Sequence, residues 1–212
     1  MIQKLDENNL KEAAHWLAGR DNGLARVLRQ YGYPPLWSRE PGFSTLVHII
    51  LEQQVSLASA NAAFRRLQEH LGAVHPEGLL ALDDEAMRAI GFSRQKMGYA
   101  RHLAREVMAG RLRLPELSVL PDESVRATLK QLKGIGDWTA DIYLSECLLR
   151  PDILPKGDIA MQEAFRVLNN LPARPVHEFF VEQTEHWRPW RSVGTRMLWH
   201  FYLCERGAGQ GM

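Results

Sequence analysis

Two features of the segment Leu132–Asp158 could do chemistry: a Gly-x-Gly turn made by Gly134 and Gly136, and the carboxylate of Asp158 further along the chain. Glycines adopt positive φ and let a second backbone come close, so the N–H groups of such a turn and of the next helix can hold a phosphate. The same glycines could simply make a tight corner between two helices, and the turn alone leaves both interpretations open. Together with an acid, a phosphate-holding turn suggests chemistry on DNA.

Asp158 also has two interpretations. It stands before Ile159 and an apolar face that includes Phe165 and Leu168, a pattern typical of a helix N-cap. A carboxylate at this place could instead stabilise positive charge that develops on a sugar, and could orient or deprotonate water. Because a cap position aims its side chain out of the helix end, the two roles can coexist. Asp141, inside the helix that follows the turn, is a weaker alternative.

The elements that position these residues are predicted to be helices, because apolar residues recur at helical spacing along almost the whole chain and alternating strands are absent. The expected fold class is all-α, with short loops rich in Pro, Gly and Asp. After the turn, the spacing predicts a helix from about Trp138 to Leu149 that ends before Pro151. The linkers Tyr33–Gly42 and Arg150–Gly157 are the best candidates for crossings between two lobes.

Composition limits the classes of function. The formal net charge is only +1, so any contact with DNA must come from a local basic patch. Two cysteines and scattered histidines argue against a four-cysteine iron–sulfur cluster and against a zinc site. The start MIQKLDENN is not a secretory signal, and no apolar run is long enough to span a bilayer, which predicts a cytoplasmic protein without a membrane partner.

Four segments carry a resemblance to a known family. LKGIGDWTA, around the Gly-x-Gly turn, resembles the helix-hairpin-helix of the DNA glycosylase superfamily named for that hairpin and its Gly/Pro-Asp segment. Three further segments are similar, in the same order, to the 3-methyladenine DNA glycosylase II branch: IILEQQVSLASA (Ile49–Ala60), GFSRQKMGYARHLA (Gly91–Ala104) and WRPWRS (Trp187–Ser192). The resemblance covers roughly Pro34 to Glu205 and fits the compact form, which lacks the N-terminal β-rich domain of larger members.

The resemblance implies a fold of two helical lobes with a cleft between them. One lobe, residues 42–150, would carry the helix-hairpin-helix at about 129–149. The other, residues 1–41 plus 151–212, would carry the catalytic aspartate, which falls at Asp158 in the family's motif. The hairpin would border the cleft, and Asp158 would face into it.

The activity implied is that of a monofunctional glycosylase, which hydrolyses the N-glycosidic bond of alkylated purines such as 3-methyladenine in duplex DNA during base excision repair, after base flipping. Alkylation makes the purine a cationic and better leaving group, so one carboxylate can suffice. Bifunctional relatives carry a Schiff-base lysine where this chain has Trp138, so no lyase activity is expected. Two alternatives stay open: a non-catalytic lesion-binding protein with the same hairpin, and a glycosylase for another class of lesion.

The resemblance also assigns the base pocket and the DNA wedge. Trp138 and Trp190 match aromatic pocket positions, where an electron-rich ring suits a cationic base; alternatively, both tryptophans fill the core. Gln53 would face the pocket or the unpaired partner base, or would merely be polar at a helix end. Gln54 takes the place of the wedge, which is apolar in many relatives. Trp37 and Trp199 are interpreted as structural, although Trp37 could also reach the cleft from its linker.

Contacts to the DNA backbone are expected from the hairpin: Lys133, Gly134, Gly136 and Thr139. Further basic residues could contact phosphates or simply be solvated: Arg94, Lys96, Arg101, Lys130 and Arg191. No cofactor is expected to be required, but the resemblance implies a Na⁺ or K⁺ ion at the backbone oxygens of Lys130, Leu132 and Ile135. The expected partner is double-stranded DNA that contains alkylated bases, and the protein is expected to be a monomer, associated with the nucleoid if it is bacterial.

Overall fold

The computed structural model describes residues 4–208, and over that range the chain is helical without strands, which confirms the all-α prediction. The α-helices in chain order are α1 (Glu7–Ala18), α2 (Asn22–Tyr31), α3 (Phe43–Glu52), α4 (Leu57–Leu71), α5 (Pro76–Ala81), α6 (Asp84–Ile90), α7 (Arg94–Met108), α8 (Asp122–Lys130), α9 (Asp137–Ile142), α10 (Ile159–Leu168), α11 (His177–Gln183) and α12 (Arg191–Ala208). Short 3₁₀ segments span Leu114–Val119 and Glu185–Trp187.

The chain divides into two compact units. One unit is Arg39–Tyr143, and the other contains the chain up to Ser38 together with the chain from Leu144 onward. The sequence placed the boundaries between the lobes at residues 42 and 150, whereas the structure places them at Arg39 and Tyr143. The ends of the second expected lobe, residues 1–3 and 209–212, lie outside the described residues.

The unit Arg39–Tyr143 is built around α3. Apolar residues occupy almost every side of this helix, and Phe43, Leu46 and Ile50 are all buried. A helix that is apolar on all sides must be enclosed by others, and α3 contacts α4, α7 and α9. The C-terminal end of α3 is therefore a rigid support for the residues that follow it.

The other unit has its core between α1, α2, α10, α11 and α12. Trp187 is fully buried in it, and its indole Nε1 donates to Asp21 Oδ2 at 2.9 Å. Asp21 also caps α2, where its Oδ1 accepts from the backbone N–H of Leu24 at 2.9 Å. One carboxylate thus joins the start of α2 to the aromatic centre of this core.

The helix after the turn differs from the prediction. In place of one α-helix to Leu149, α9 ends at Ile142 and a π-helical turn continues over Tyr143–Cys147. The buried guanidinium of Arg196 explains the widening, because its Nη2 donates to the backbone oxygen of Ser145 at 2.8 Å and competes with the regular helical ladder. Among residues 4–208, no helix is long and apolar enough to cross a bilayer.

Candidate functional site

The turn at Gly134 lies between α8 and α9 and is seated on an aromatic ring. Gly134 has φ 87°, and a Cβ atom there would stand 2.1 Å from Cγ of Tyr99 on α7. No side chain fits that space, so glycine is required both for the left-handed backbone and for the close approach of the ring. The sequence pattern indicates the first requirement, but it cannot show the second.

Helix α9 begins without a side-chain cap. An aspartate just after the turn would suit an N-cap, but Gly136 occupies that position and has no side chain to offer, and Asp137 is the first helical residue. The Asp137 carboxylate forms an ion pair with Lys130 at the end of α8. A short helix that starts at a glycine next to a left-handed turn presents backbone N–H groups of the kind that bind phosphate.

Two of the basic residues that could contact phosphates are engaged within the protein. Lys96 Nζ donates to the backbone oxygen of Leu51 at 2.7 Å, and burial lowers the pKa of its ammonium group. Arg101 is bound to the Asp84 carboxylate at 2.5 Å and to a backbone oxygen of the same unit. Lys133, adjacent to the turn, is exposed. Of these three, Lys133 is therefore the best placed to contact DNA.

Gln53, expected in the base pocket, reaches the hairpin. Its side-chain Nε2 donates to the backbone oxygen of Gly134 at 2.9 Å and to the Thr139 hydroxyl at 3.0 Å. Thr139 is only 2% exposed. A DNA contact by Thr139 would therefore have to come from its backbone N–H, since its hydroxyl is buried against Gln53.

The turn after α3 presents Gln54. This residue has φ 57°, a left-handed conformation that is uncommon for any residue with a Cβ atom. Its neighbours Val55 and Leu57 are 47% and 53% exposed. An apolar pair at an exposed, left-handed turn is costly in water and suits contact with a hydrophobic surface.

Asp158 is the N-cap of α10. Its Oδ1 accepts from the backbone N–H of Met161 at 2.9 Å, and the residue is 8% exposed. The capping interpretation is confirmed, and it fixes the orientation of the side chain. The positive end of the α10 dipole favours a carboxylate at this position.

Of the two tryptophans expected in the pocket, Trp138 lies in the first turn of α9 and is half-buried. Trp190 is half-buried against the core of the other unit, just before α12. Arg191, one of the residues that could contact phosphate or simply be solvated, is bound to Asp152 through Nε at 2.7 Å and Nη2 at 3.0 Å. Asp152 thereby fixes the residue next to Trp190.

Sequence reasoning considered Trp37 and Trp199 separately and did not foresee that they form an aromatic pair in the unit that carries Asp158. The rings of Trp37 and Trp199 meet edge to face with centroids 6.4 Å apart, and both residues are partly exposed. Trp37 has φ 46°, and the preceding carbonyl of Leu36 accepts from Arg196 Nε at 2.8 Å. No local signal relates two tryptophans so far apart in sequence, so this pair required the three-dimensional fold.

Arg196 organises the backbone around this pair. It is fully buried, and loss of water lowers the pKa of its guanidinium to about 10. Besides Leu36 and Ser145, it donates to the Ser192 backbone oxygen at 3.0 Å. A buried charge surrounded by carbonyl oxygens holds the linker, the π-helical turn and α12 in one arrangement.

Residues 47–189 match the model of the HhH-GPD superfamily base excision DNA repair proteins, and the match includes the hairpin and Asp158. The chain therefore belongs to the HhH-GPD superfamily of base excision DNA repair proteins.

Among curated relatives, DNA-3-methyladenine glycosylase 1 of Schizosaccharomyces pombe is 30% identical over 199 residues, 90% of this chain and 87% of that protein. The putative DNA-3-methyladenine glycosylase YfjP of Bacillus subtilis is 27% identical, over 83% of this chain and 64% of its own length.

Solved structures of 3-methyladenine glycosylases are also similar to this chain. The structure of the S. pombe glycosylase Mag1 in complex with abasic DNA is similar with a TM-score of 0.83 and 29% identity, covering 89% of this chain and 95% of that one. A DNA-3-methyladenine glycosidase of Bacillus halodurans gives a TM-score of 0.74 at 29% identity, with 94% and 91% covered. The family and the fold expected from the sequence are confirmed.

Proposed function

We propose that the protein is a monofunctional DNA glycosylase that removes alkylated purines such as 3-methyladenine from duplex DNA in base excision repair. The observation that carries this proposal is Asp158: a buried carboxylate, fixed at the N-terminus of α10, within the region that matches a base-excision family. The names of the relatives, which are 3-methyladenine glycosylases, support the choice of substrate.

In the proposed reaction the alkylated nucleotide leaves the base stack, and its glycosidic bond lengthens as the cationic purine departs with the bonding electrons. Positive charge develops on the sugar. Asp158 stabilises that charge and orients a water molecule, which adds to C1′ and transfers a proton to the Asp158 carboxylate. The products are a free base and an abasic site.

The hairpin is proposed to hold the DNA backbone through Lys133, Gly134, Gly136 and the backbone of Thr139. Phosphate contacts of this kind fix the register of the protein without reading sequence. The carbonyl oxygens of Lys130, Leu132 and Ile135 are proposed to hold Na⁺ or K⁺.

Two observations fit a monovalent cation there. Lys130 is the last residue of α8, and the last carbonyls of a helix carry partial negative charge. Leu132 O accepts one hydrogen bond, from Ile135 N at 3.1 Å, and a carbonyl oxygen has a second lone pair to offer. Such an ion would strengthen the attraction of the hairpin for phosphate.

Trp138 and Trp190 are proposed to stack on the cationic base, with the Trp37–Trp199 pair as a further aromatic surface in the unit of Asp158. Trp138 also stands where a lyase would carry its lysine, so cleavage of the strand is not part of the proposed activity. Gln54 is proposed as the wedge. We further propose a cytoplasmic monomer.

The decisive test is base release from methylated duplex DNA by the wild type and by Asp158→Asn. Asparagine caps a helix about as well as aspartate, so this change keeps the fold and removes only the charge. We expect a loss of base release of at least about 100-fold, with little change in thermal stability.

Asp83→Asn is the matched control, because Asp83 also caps a helix, α6, through a 2.8 Å bond to Ala86 N. That variant should keep full activity. If Asp158→Asn retains full activity, the assigned mechanism is wrong. If the wild type binds abasic DNA but releases no base, the chain is a lesion-binding module.

A further inference from the structure

The side chain of Gln53 joins two segments that are far apart in sequence. Its Nε2 donates one hydrogen bond to Gly134 O, in the turn of the hairpin, at 2.9 Å. It donates a second to Thr139 Oγ1, in the first turn of α9, at 3.0 Å. An amide nitrogen has two hydrogens, and these two acceptors account for both. The donor group of Gln53 is thus committed to the hairpin.

The hairpin and the end of α3 share a second support, helix α7. The Tyr99 ring fills the space in front of Gly134, and Lys96 Nζ donates to the Leu51 backbone oxygen at 2.7 Å. Tyr99 and Lys96 are three residues apart and therefore lie on the same face of α7. The end of α3 and the hairpin are consequently held by one helix face as well as by Gln53.

The residue that follows Gln53 is the proposed wedge. Gln54 adopts φ 57°, and the exposed side chains of Val55 and Leu57 stand beside it. Gln53, whose side chain is fixed to the hairpin, is therefore joined by one peptide bond to Gln54, the residue that would enter the base stack. Any shift of the hairpin relative to α3 would move the wedge by a similar distance.

We propose that Gln53 is a positioning residue that couples the phosphate-binding hairpin to the wedge turn. By fixing the distance between the two, it sets the base step at which Gln54 enters the duplex while the hairpin holds the backbone. Displacements of about 1 Å can cost large factors in rate when a geometry must be exact. The inference rests on the proposed glycosylase function and gives Gln53 a role different from reading the base.

The test compares two duplexes that carry the same methylated purine. In one the lesion is normally paired; in the other it stands opposite an abasic site, where extrusion of the base costs less. Gln53→Met keeps the length of the side chain and removes the amide. We expect single-turnover base release to fall about tenfold or more on the paired duplex and to recover to within about threefold of the wild type on the other.

A pure base-reading role predicts the same loss on both duplexes, and that result would overturn the coupling, as would wild-type rates on the paired duplex. Gln54→Ala should show the same substrate dependence as Gln53→Met. Gln68→Met, on the exposed surface of α4, is the matched control and should behave as wild type on both substrates.

A second variant protects the test against misfolding. Thr139→Val removes one acceptor of the Gln53 amide and should reproduce part of the defect, and the double variant should be no worse than Gln53→Met alone, because both changes break one shared interaction. Additive losses would contradict the coupling. Failure of the proposed function is distinguishable, because the wild type would then release no base from either duplex.

Discussion

At the scale of single residues, Trp138 offers a half-buried ring in the first turn of α9. A cationic purine stacked on it would gain cation–π attraction of about 0.5–2 kcal/mol, which a neutral base would not. We therefore expect Trp138→Leu to lower kcat/KM for 7-methylguanine about 2- to 30-fold, with a smaller effect on neutral hypoxanthine. Trp138→Phe should retain most of the activity.

The comparison of a charged with a neutral base isolates stacking from packing. If Trp138→Leu lowers the release of both bases equally, the ring only shapes the pocket. Trp16→Leu serves as the control, since Trp16 lies on α1 and stacks against the Arg20 guanidinium, 3.8 Å from its ring centroid. That change removes an indole without touching a proposed site residue.

The residues predicted best from sequence are those whose role depends on their immediate neighbours. Asp158 caps α10 as its place before Ile159 indicates, and Ser56 and Ser93 cap α4 and α7 in the same way, because an N-cap needs only the backbone two or three residues ahead. Gln53 could not be placed in this way, since its acceptor on Gly134 is 81 residues further along the chain.

At the scale of elements, the hairpin depends on one glycine much more than on the other. Gly134→Ala would force a side chain into a left-handed backbone, at about 1–2 kcal/mol, and against the Tyr99 ring, at about 1–3 kcal/mol more. We expect the free energy of unfolding to fall by about 3 kcal/mol, measured by chemical denaturation, and the affinity for DNA to fall as well.

Gly136→Ala is the matched change at the second glycine of the same turn. Its φ of −101° is accessible to alanine, and within residues 4–208 no atom lies within 4 Å of the added Cβ. Its free energy of unfolding should stay within about 0.5 kcal/mol of the wild type. Equal destabilisation by both substitutions would contradict the close packing of Gly134 against the Tyr99 ring.

Element boundaries were predictable only where local signals determine them. The helix after the hairpin was expected to continue to Leu149, because Pro151 is the first residue in the sequence that forbids a helix. The π-helical turn at Tyr143–Cys147 depends on Arg196, which comes from another helix and donates to Ser145 O. A tertiary contact of this kind leaves no trace in the spacing of apolar residues.

At the scale of the whole molecule, the proposed roles divide between the two units. The hairpin, the wedge turn and Trp138 belong to the unit Arg39–Tyr143, whereas Asp158, Trp190 and the Trp37–Trp199 pair belong to the other. Residues proposed to bind the DNA backbone are thus carried by a different core from the proposed catalytic carboxylate. Binding of the DNA backbone should therefore survive changes at Asp158. The affinity of the Asp158→Asn variant for DNA would measure this.

The net charge of +1 makes the salt dependence of DNA binding informative. Each phosphate that a protein neutralises adds about −0.9 to the slope of log K against log salt concentration. Because Lys96, Arg101, Arg191 and Lys130 are engaged within the protein, Lys133 and Arg94 remain, and we expect a shallow slope of about −2. Lys133→Ala should weaken binding and make the slope shallower by about 0.9, the contribution of one phosphate.

Lys11→Ala removes the same charge from α1, which belongs to the other unit. Both substitutions take the formal net charge from +1 to 0, so a difference between them can arise only from position. Local binding by the hairpin predicts that Lys11→Ala leaves the slope unchanged, because Lys11 is not among the residues proposed to contact phosphates. If the two variants reduce the slope equally, overall charge governs the affinity for DNA, and Lys133 does not bind a phosphate of its own.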